Sequence, residues 1–439
     1  MSLITRSVRH LQHTLHNVIR VLVLARLFRI KHGQITLIDG NHRITLGDPA
    51  HDLSVTVRVH NRRFYSRLLF GGEIGVSQSF LMGDWSCEQM TDLIRILIRN
   101  LSLADDCQRG FARLHHMFDR LRHGLRRNSQ NGSLRNISQH YDIGNDFFSQ
   151  FLDSTWSYSC GIFPSEESTL EEASIEKMDR ICQKLELNPS DHLLEIGGGW
   201  GGLAVYAATH FGCRVTSTTL SSEQYMVACK RVKEADLESR VTILQKDYRN
   251  LHGNFDKIVS IEMIEAVGHQ FYTTFFQKCS ELVKPEGLML LQGIVIKDQR
   301  FQQHITTVDF IRHFIFPGGC VPSVTALMQA MTQGSDMRLI DLEDITRHYV
   351  STLQRWKLNF LSNIRIIQSL GYSERFTRMW ELYFDYCEAG FAERQINTIH
   401  MVFAKPAFQD EIGRNPVASC AGSRSNHYHW QSAHEEITP

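Results

Sequence analysis

The sequence lacks three features that would assign it at once to a simple functional class: paired cysteines, a net charge and a long uninterrupted apolar run. Its ten cysteines include no Cys-x-x-Cys pair, and a chain of 439 residues does not need disulfide staples. We therefore expect a reducing, cytosolic environment and no zinc-ribbon site. The 22 histidines also lack paired acidic or cysteine ligands at a recognisable spacing, so no metal site is predicted.

Net charge is absent because 47 Lys and Arg residues balance 47 Asp and Glu residues. This balance gives no case for nucleic acid as a partner. The longest apolar run near the start covers residues 18–30 and is interrupted by Arg20, Arg26 and Arg29. It is too short and too charged to cross a bilayer, and no small-residue cleavage site follows it. We therefore expect neither a membrane span nor a signal peptide.

What is present indicates a globular protein with more than one domain. Apolar residues make up 42% and charged residues 21% of the chain, and its length favours two or three domains. Residues 1–30 are predicted to form a basic amphipathic helix, residues 34–70 a small strand meander, and residues 77–117 further helices. Residues 1–118 are therefore interpreted as a small α+β domain.

Two polar stretches bound the rest of the chain. Residues 107–135 hold seven Arg, three His and a single acid, Asp119, and residues 119–136 are interpreted as a basic linker. The stretch is either a solvated helix with a loop or a patch for anionic lipid headgroups, where each basic residue contributes about 1 kcal/mol. Residues 407–439 are rich in polar residues and are predicted to form a mobile tail.

Strand and helix patterns alternate between residues 137 and 406. Strands are expected at 192–196, 213–218, 241–244, 257–261, 288–296 and 396–402. This order predicts an α/β domain whose parallel sheet is covered on both faces. The first strand runs directly into Gly-Gly-Gly-Trp-Gly-Gly at 197–202, and glycines let the backbone approach a ligand closely. A nucleotide-type cofactor is therefore expected at the carboxyl end of that strand.

The second strand narrows the choice of cofactor. A dinucleotide site carries an acid for the ribose about 20 residues after its glycines. Here the second strand ends in Thr-Ser-Thr-Thr at 216–219, and no Gly-Lys-Ser/Thr phosphate loop is present. The Glu-x-Gly-x-Gly-x-Gly pattern at 195–201 instead resembles class I S-adenosylmethionine (SAM) methyltransferases.

A series of further motifs narrows the resemblance to one family. Tyr-Ser-Cys-Gly at 158–161 precedes the glycine loop. Four motifs follow the loop: Thr-Leu-Ser-Ser-Glu-Gln from 219, Asp-Tyr-Arg from 247, Glu-Ala-Val-Gly from 265 and Ile-Phe-Pro-Gly-Gly-Cys-Val-Pro-Ser from 315. From residue 137 to 405 the chain resembles the cyclopropane-fatty-acyl-phospholipid synthases, which include the mycolic acid cyclopropane synthases and methyltransferases. The resemblance implies a class I SAM methyltransferase, Rossmann-like sheet with helical insertions. Residues 1–118 resemble, less distinctly, the lipid-binding amino-terminal domain of the bacterial phospholipid enzymes.

The resemblance implies which residues bind SAM. The matching positions are Tyr158, Ser159, Gly197 and Gly199 for direct contact, Thr219, Leu220 and Gln224 around the ribose and adenosine, and Tyr248 beside the adenine. Two plainer interpretations stay open. Thr219 or Ser221 would equally serve as a helix N-cap, and Tyr248 as a core residue.

The resemblance also implies the catalytic residues. Glu265 matches the family's active-site glutamate, and Glu262, three residues earlier, is a competing acid interpreted as a strand-end or cofactor-side residue. Cys160 matches a position whose backbone helps to hold a bicarbonate ion, and Tyr349 matches a tyrosine that faces the same ion. A packed helix aromatic is the plainer interpretation of Tyr349.

One position departs from the family pattern. Ring-forming members carry a histidine on the fifth strand, where this chain has Gln292, whereas Ile294 keeps the matching apolar place. A glutamine donates and accepts hydrogen bonds but carries no proton at neutral pH. The departure therefore leaves open whether bicarbonate binds and removes a proton here.

The expected activity is SAM-dependent methylene or methyl transfer to the cis double bond of unsaturated phospholipid acyl chains, which forms cyclopropane fatty acids. The Gln292 departure keeps ring-free transfer as an alternative, with a partner reductase if the product is to become a saturated branch. A methyltransferase for a soluble small molecule and a non-catalytic lipid-binding protein are further alternatives. We expect a cytoplasmic homodimer that docks on the inner face of the membrane.

Overall fold

The structure, a computed structural model, describes residues 3–101 and 143–409, with side chains from residue 14 onward. Several predictions fall outside the described residues. They are the domain boundary at 118, the basic linker 119–136, the Arg-rich stretch 107–135, the helical patterns beyond residue 101 and the tail beyond residue 409. Those interpretations stay predictions. Within the described part of the chain, no helix is both long enough and apolar enough to cross a bilayer.

The amino-terminal unit combines one long helix with a small sheet. Its elements are α1 Leu3–Leu27, β1 Gln34–Asp39, β2 His42–Gly47, β3 Ser54–Val59, α2 Arg63–Leu81, β4 Trp85–Cys87 and α3 Met90–Arg99. The strand order is β2-β1-β3-β4, with β1 parallel to β3 and the other neighbours antiparallel. The α+β composition of the described part agrees with the prediction.

The predicted simple meander over residues 34–70 is wrong in two respects. The central strand β1 buries Ile35 and Leu37, so β3 pairs with its free edge in parallel instead of following β2. From Arg63 the chain is helical, because Phe64, Leu68 and Leu69 repeat at helical rather than alternating spacing.

The second unit is an α/β domain built on a seven-stranded sheet. Its strands are β5 His192–Ile196, β6 Arg214–Thr219, β7 Val241–Gln245, β8 Phe255–Ile261, β9 Val283–Ile296, β10 Arg338–Asp344 and β11 Ile396–Ala404. The order is β10-β11-β9-β8-β5-β6-β7, in which β9, β8, β5, β6 and β7 are parallel and β11 is antiparallel to both its neighbours. The predicted strands are present, and β10 was not predicted.

Helices cover this sheet and fill the connections. They are α4 Asn145–Phe148, α5 Leu170–Lys184, α6 Gly202–His210, α7 Ser222–Glu234, α8 Ile264–Val267, α9 Tyr272–Leu282, α10 Asp298–Thr306, α11 Val324–Gly334, α12 Thr346–Ser362, α13 Ile364–Ser369 and α14 Glu374–Ala392. A π-helical segment spans Ile311–Ile315. The chain adds strands β6 and β7 on one side of β5 and strands β8 and β9 on the other. This switch creates a crevice at the carboxyl ends of the strands, where open α/β sheets bind ligands.

The two units share a continuous apolar core. Buried side chains from α1 to α3 belong to the same cluster as the aromatic residues of α4, α12 and α14. Polar contacts reinforce this interface: Arg95 and Arg99 both donate to Glu393 at 2.9 Å, and the Thr91 hydroxyl donates to Asp385 at 2.7 Å. These contacts hold the amino-terminal unit against the α/β domain, so it forms one wall of the space between itself and the seven-stranded sheet.

Candidate active site

The glycine loop after β5 forms the base of the crevice. Gly197 and Gly199 have φ values of 89° and 52°, in the left-handed region that favours glycine. A Cβ at Gly198 would lie 1.8 Å from Ser217 Oγ and 2.7 Å from Glu195 Oε2. A Cβ at Gly199 would meet no protein atom within 4 Å. The loop therefore needs glycine for its shape and leaves room in front of its backbone.

A cavity of about 170 Å³ opens above this loop. All eight residues predicted to bind the cofactor line it: Tyr158, Ser159, Gly197, Gly199, Thr219, Leu220, Gln224 and Tyr248. The structure thus brings together residues from four separate segments of the sequence.

The polar groups of this cavity suit a cofactor with hydroxyl groups and no phosphate. The Thr219 hydroxyl donates to Gln224 Oε1 at 2.7 Å, which leaves the Gln224 amide N–H groups to donate to a ligand. Ser221, rather than Thr219, caps helix α7 through the backbone N–H of Gln224. Tyr248 packs edge-on against Phe275 with ring centres 5.5 Å apart, so it serves the core and the cavity wall together. These features fit the adenosine part of SAM.

Two buried ionisable residues of this cavity were not predicted from the sequence. Lys177 Nζ donates to Ser159 Oγ at 2.9 Å, and burial lowers the pKa of this lysine against the opposing charges of Glu262 and Asp153. Burial also raises the pKa of Glu195 to about 7, although the Ser217 hydroxyl opposes the rise. No spacing rule marks Lys177, because its partners come from distant segments.

A second, larger cavity of about 630 Å³ lies between the two units. Its walls are mostly apolar and come from both sides of the interface. The amino-terminal unit contributes Val23, Leu27, Leu37, Val57, Leu69 and Leu93 among others, and the α/β domain contributes Ile294, Phe316, Leu353, Leu382 and Phe391. An elongated apolar ligand is the kind that such a cavity accommodates.

The two cavities meet at three residues. Tyr158, Glu262 and Ala266 line both of them. The Tyr158 hydroxyl donates to the hydroxyl of Tyr383 on α14 at 3.0 Å, which fixes its ring at this junction. A cofactor in the first cavity and an apolar chain in the second would therefore face each other here.

Glu262 lies at the centre of this junction. Its Oε1 accepts from the backbone N–H of Cys160 and from Gln292 Nε2, each at 2.9 Å, and its Oε2 accepts from the Tyr349 hydroxyl at 2.6 Å. Its backbone φ is 47°, which is uncommon outside glycine and aspartate-type residues. The sequence leaves Glu262 as a strand-end or cofactor-side acid, and in the structure its carboxylate accepts three hydrogen bonds at this junction.

Glu265 lies beside it with a different environment. Its Oε1 accepts from the backbone N–H of Ile294, while its buried Oε2 has no hydrogen-bond partner. Burial, together with the charge of Glu262, raises the pKa of Glu265 to about 8. Glu265 is therefore mostly protonated at neutral pH.

Gln292 is oriented by a histidine behind it. Its Oε1 lies 2.9 Å from Nε2 of His400, and burial lowers the pKa of His400 to about 3. Because an amide oxygen only accepts, the neutral imidazole carries its proton on Nε2, and the Gln292 amide nitrogen must face Glu262. The strand pairing explains the contact, since His400 of β11 lies opposite Gln292 of β9.

The predicted catalytic residues Glu265, Cys160, Tyr349, Gln292 and Ile294 all lie around this junction. Cys160 and Ile294 contribute backbone N–H groups. The Cys160 thiol itself is fully buried, and burial raises its pKa, which excludes a thiolate at neutral pH. Tyr349 is both a packed aromatic, stacked on Phe391 with ring centres 4.3 Å apart, and a donor to Glu262.

Comparison with known proteins supports a lipid-modifying methyltransferase. A family profile described as mycolic acid cyclopropane synthetase matches residues 128–401. The tuberculostearic acid methyltransferase UfaA1 of Mycobacterium tuberculosis is 36% identical over 327 residues, which cover 73% of this chain and 76% of that protein. The cyclopropane-fatty-acyl-phospholipid synthase of Escherichia coli K12 is 36% identical over 353 residues, 80% of this chain and 87% of that protein.

Among solved structures, the mycolic acid cyclopropane synthase CmaA1 complexed with SAH (S-adenosylhomocysteine) and CTAB is similar. It is 29% identical, with a TM-score of 0.57, and the match covers 62% of this chain and 98% of that one. This similarity confirms the predicted α/β fold of the SAM methyltransferases and SAM as the cofactor.

Proposed function

Since the chain belongs to the mycolic acid cyclopropane synthetase family of SAM-dependent methyltransferases, we propose that it acts on the cis double bond of an unsaturated phospholipid acyl chain. Action on lipid acyl chains is common to the family. The phospholipid, the cis double bond and the product are proposed here for this chain. The proposed product is a cyclopropane fatty acyl chain, with ring-free transfer as the alternative.

The observation that carries this proposal is the meeting of the two cavities. A polar cavity with the glycine loop and an apolar cavity of about 630 Å³ share Tyr158, Glu262 and Ala266 as common walls. A soluble small substrate would not require an apolar cavity built partly from the amino-terminal unit. A lipid chain would, because its length must be removed from water.

Bound SAM supplies an electrophilic methyl group: the alkene π electrons form the new C–C bond, the C–S bond breaks, S-adenosylhomocysteine leaves, and a carbocation remains on the chain. The protein must hold the weakly nucleophilic alkene in line, and orientation of this kind lowers the barrier by several kcal/mol. Its apolar walls exclude water, which would otherwise trap the cation. The rings of Tyr158, Phe316 and Tyr349 border the apolar cavity and offer faces that stabilise a cation.

A base must then accept one proton. Loss from the transferred methyl group closes a cyclopropane, and loss from a neighbouring chain carbon leaves an alkene without a ring. Four carboxyls line the apolar cavity: Glu73, Glu262, Glu265 and Asp309. Of these, Glu262 accepts from Tyr349 and Glu265 accepts from Ile294. Both belong to the proposed catalytic centre.

We also propose peripheral docking on the membrane through α1. This helix packs against α2 and buries Ile19, Val23 and Leu24 in the shared apolar core, whereas Leu15, Val18, Val21 and Leu22 are exposed. The same helix lines the apolar cavity through Val23, Arg26 and Leu27. A lipid chain leaving the bilayer beneath α1 would therefore have a short path into the cavity. We also propose a cytoplasmic location, which cell fractionation tests, and a homodimer, which light scattering tests. Product analysis tests the partner reductase.

The test is incubation of the purified protein with SAM and vesicles of cis-monounsaturated phospholipid, followed by mass spectrometry and proton NMR of the released fatty acids. We expect a gain of one CH₂ with upfield ring protons. The same gain with olefinic or branched-methyl signals would establish the ring-free alternative. SAM binding without any change in the lipid would contradict the proposal and favour a soluble substrate or a non-catalytic role.

A further inference from the structure

We propose that Glu262 is the general base of this enzyme, and that its carboxylate replaces a dissolved anion in the active site. The inference rests on the proposed function and deepens it, because it names the proton acceptor. The resemblance pointed to bicarbonate, held by the backbone of Cys160 and by Tyr349. In this chain those two groups already bind a carboxylate that is covalently part of the protein.

The hydrogen bonds carry the argument. The Cys160 N–H and the Gln292 amide donate to one oxygen of Glu262, at 2.9 Å each, and the Tyr349 hydroxyl donates to the other at 2.6 Å. Bicarbonate, a planar anion with three oxygens on one carbon, would need the same donors in the same place. With Glu262 present, no second anion can use them, and a second charge beside Glu262 would be repelled in this enclosed site.

Hydrogen bonding also decides which of the two neighbouring carboxyls is ionised. Glu262 accepts from three donors, and the buried Lys177 ammonium adds a favourable charge. Glu265 accepts from one backbone N–H only and leaves an oxygen unpartnered. Burial raises the pKa of both groups, but only for Glu262 do three donors and a cation oppose the rise. Glu262 is therefore the carboxylate able to accept a proton, and Glu265 holds one already.

Gln292, at the position where ring-forming members carry a histidine, suits a fixed carboxylate. A glutamine tied to His400 through its oxygen presents only N–H groups to Glu262, so it stabilises a fixed carboxylate and never competes for the proton. Glu262 also keeps a left-handed φ of 47° that costs about 1 kcal/mol or more, which persists where the surrounding structure requires it. We infer that Glu262 and Gln292 act as a pair.

The proposed step is a proton transfer from the cationic acyl chain to Glu262. A C–H bond of the cationic acyl chain breaks, and its electron pair forms the third ring bond or, in the ring-free reaction, a C=C bond. The proton passes to a carboxylate oxygen of Glu262 and leaves for solvent after product release. No oxidant, reductant or added anion takes part.

The first experiment measures turnover of the wild-type enzyme with SAM and monounsaturated phospholipid vesicles in buffer stripped of carbon dioxide, with and without added bicarbonate. We expect equal rates in the two buffers. A rate that falls at least about tenfold on stripping and recovers with bicarbonate would overturn the proposal. Absence of lipid product in both buffers would instead contradict the proposed function, so the two failures are distinguishable.

Two variants complete the test. Glu262→Gln keeps the shape but cannot accept a proton, and we expect a loss of about 100-fold or more in kcat with SAM binding retained by calorimetry. Glu262→Gly suits the left-handed backbone and opens a carboxylate-sized space among the same donors. We expect it to be inactive in stripped buffer and to be rescued by bicarbonate or formate.

Glu238→Gln, on an exposed loop outside both cavities, is the matched control and is expected to retain wild-type turnover. Wild-type turnover in a folded Glu262→Gln variant would overturn the assignment. So would a Glu262→Gly variant that binds SAM and yet gains no activity from either anion.

Discussion

Glu262 and Glu265 lie three positions apart, yet the proposed protonation states of their carboxyls differ. The difference comes from the hydrogen-bond donors around each carboxyl and not from the neighbouring sequence. Glu262 has three donors to its carboxylate, whereas Glu265 has one and an unpartnered oxygen. The resemblance ranks Glu265 first and leaves Glu262 as a competing acid, because the Tyr349 and Gln292 partners of Glu262 come from residues far along the chain. The acid at 262 together with the glutamine at 292 is the signal that could have linked them.

Gly198 is a residue at which a single methyl group should be costly. Its Cβ would lie 1.8 Å from Ser217 Oγ and 2.7 Å from Glu195 Oε2, so the loop or both side chains must move. We expect Gly198→Ala to lower SAM affinity at least about tenfold and to destabilise the fold by about 1–3 kcal/mol. Calorimetry and urea unfolding measure the two effects. Gly71→Ala, where no atom lies within 4 Å of the new Cβ, is the control: it should leave SAM affinity unchanged and should not destabilise the fold, since alanine favours a helix over glycine.

His400 is a positioning residue at the same scale, because it touches Gln292 and lines neither cavity. His400→Leu leaves the buried Gln292 oxygen without a donor, at a cost of about 1–3 kcal/mol, and frees the amide to turn. We expect kcat to fall while the KM for SAM stays unchanged. His400→Gln, which restores an N–H donor, should recover most of the lost kcat. A purely structural role would show the loss of stability without recovery of kcat.

At the scale of elements, α1 and β10 show what the sequence could and could not predict. The amphipathic pattern of α1 predicted its helix, but not which apolar side chains would stay exposed once the others were buried in the shared core. Strand β10 was missed because it is an edge strand whose Ile340 and Leu342 are 44% and 43% exposed, so no buried alternation marks it. Strands β5, β6, β8 and β9 were predicted because most of their side chains are buried.

Membrane docking is tested on α1 with a matched apolar residue elsewhere. Leu15 and Leu22 are 61% and 48% exposed, and Leu358 on α12 is 64% exposed. We expect Leu15→Glu with Leu22→Glu to weaken binding to anionic phospholipid vesicles at least about tenfold, because apolar insertion is lost and a like charge is introduced. Leu358→Glu should leave sedimentation with vesicles unchanged. Equal losses in both variants would contradict a docking surface on α1.

At the scale of the whole molecule, buried carboxyls should make stability depend on pH. The pKa of Glu195 is raised to about 7 and that of Glu265 to about 8, whereas an unfolded glutamate loses its proton near its ordinary value of 4.5. Between these values the native state binds more protons than the unfolded state, so the free energy of unfolding falls as pH rises toward about 8. The histidines with lowered pKa values, such as His348 and His400, act in the opposite sense only below about 6.5.

The raised carboxyls therefore contribute most between pH 6.5 and 8, where the opposing effect of the histidines fades as the unfolded imidazoles lose their protons. We expect the free energy of unfolding in urea to fall across this pH range, and Glu195→Gln to remove on the order of 1 kcal/mol of that fall. Glu238→Gln, an exposed control, should leave the slope unchanged. A slope unaffected by Glu195→Gln would show that this carboxyl ionises normally in the folded protein.

Short local patterns predicted six strands of the large sheet and the glycine loop, and the family resemblance supplied eight residues that line the cofactor cavity. The sequence did not predict the apolar cavity, whose walls come from α1 to α3 on one side and from α12 and α14 on the other. Nor did it predict Lys177 or His400 as parts of the site. Contacts of this kind depend on how two units pack, which no local pattern encodes.

The position of Glu262 between the two cavities also affects the charge balance of the site during the reaction. On the proposed chemistry a positive charge starts on the cofactor side of this carboxylate, moves onto the acyl chain and ends as the proton on Glu262. The anion is beside the cation at each stage, so the enclosed junction never carries an uncompensated charge. After proton transfer both charges are gone, and the attraction that held the cofactor in place disappears with them. The same residue would then favour the charged cofactor over its neutral product and reset the enzyme when its proton leaves.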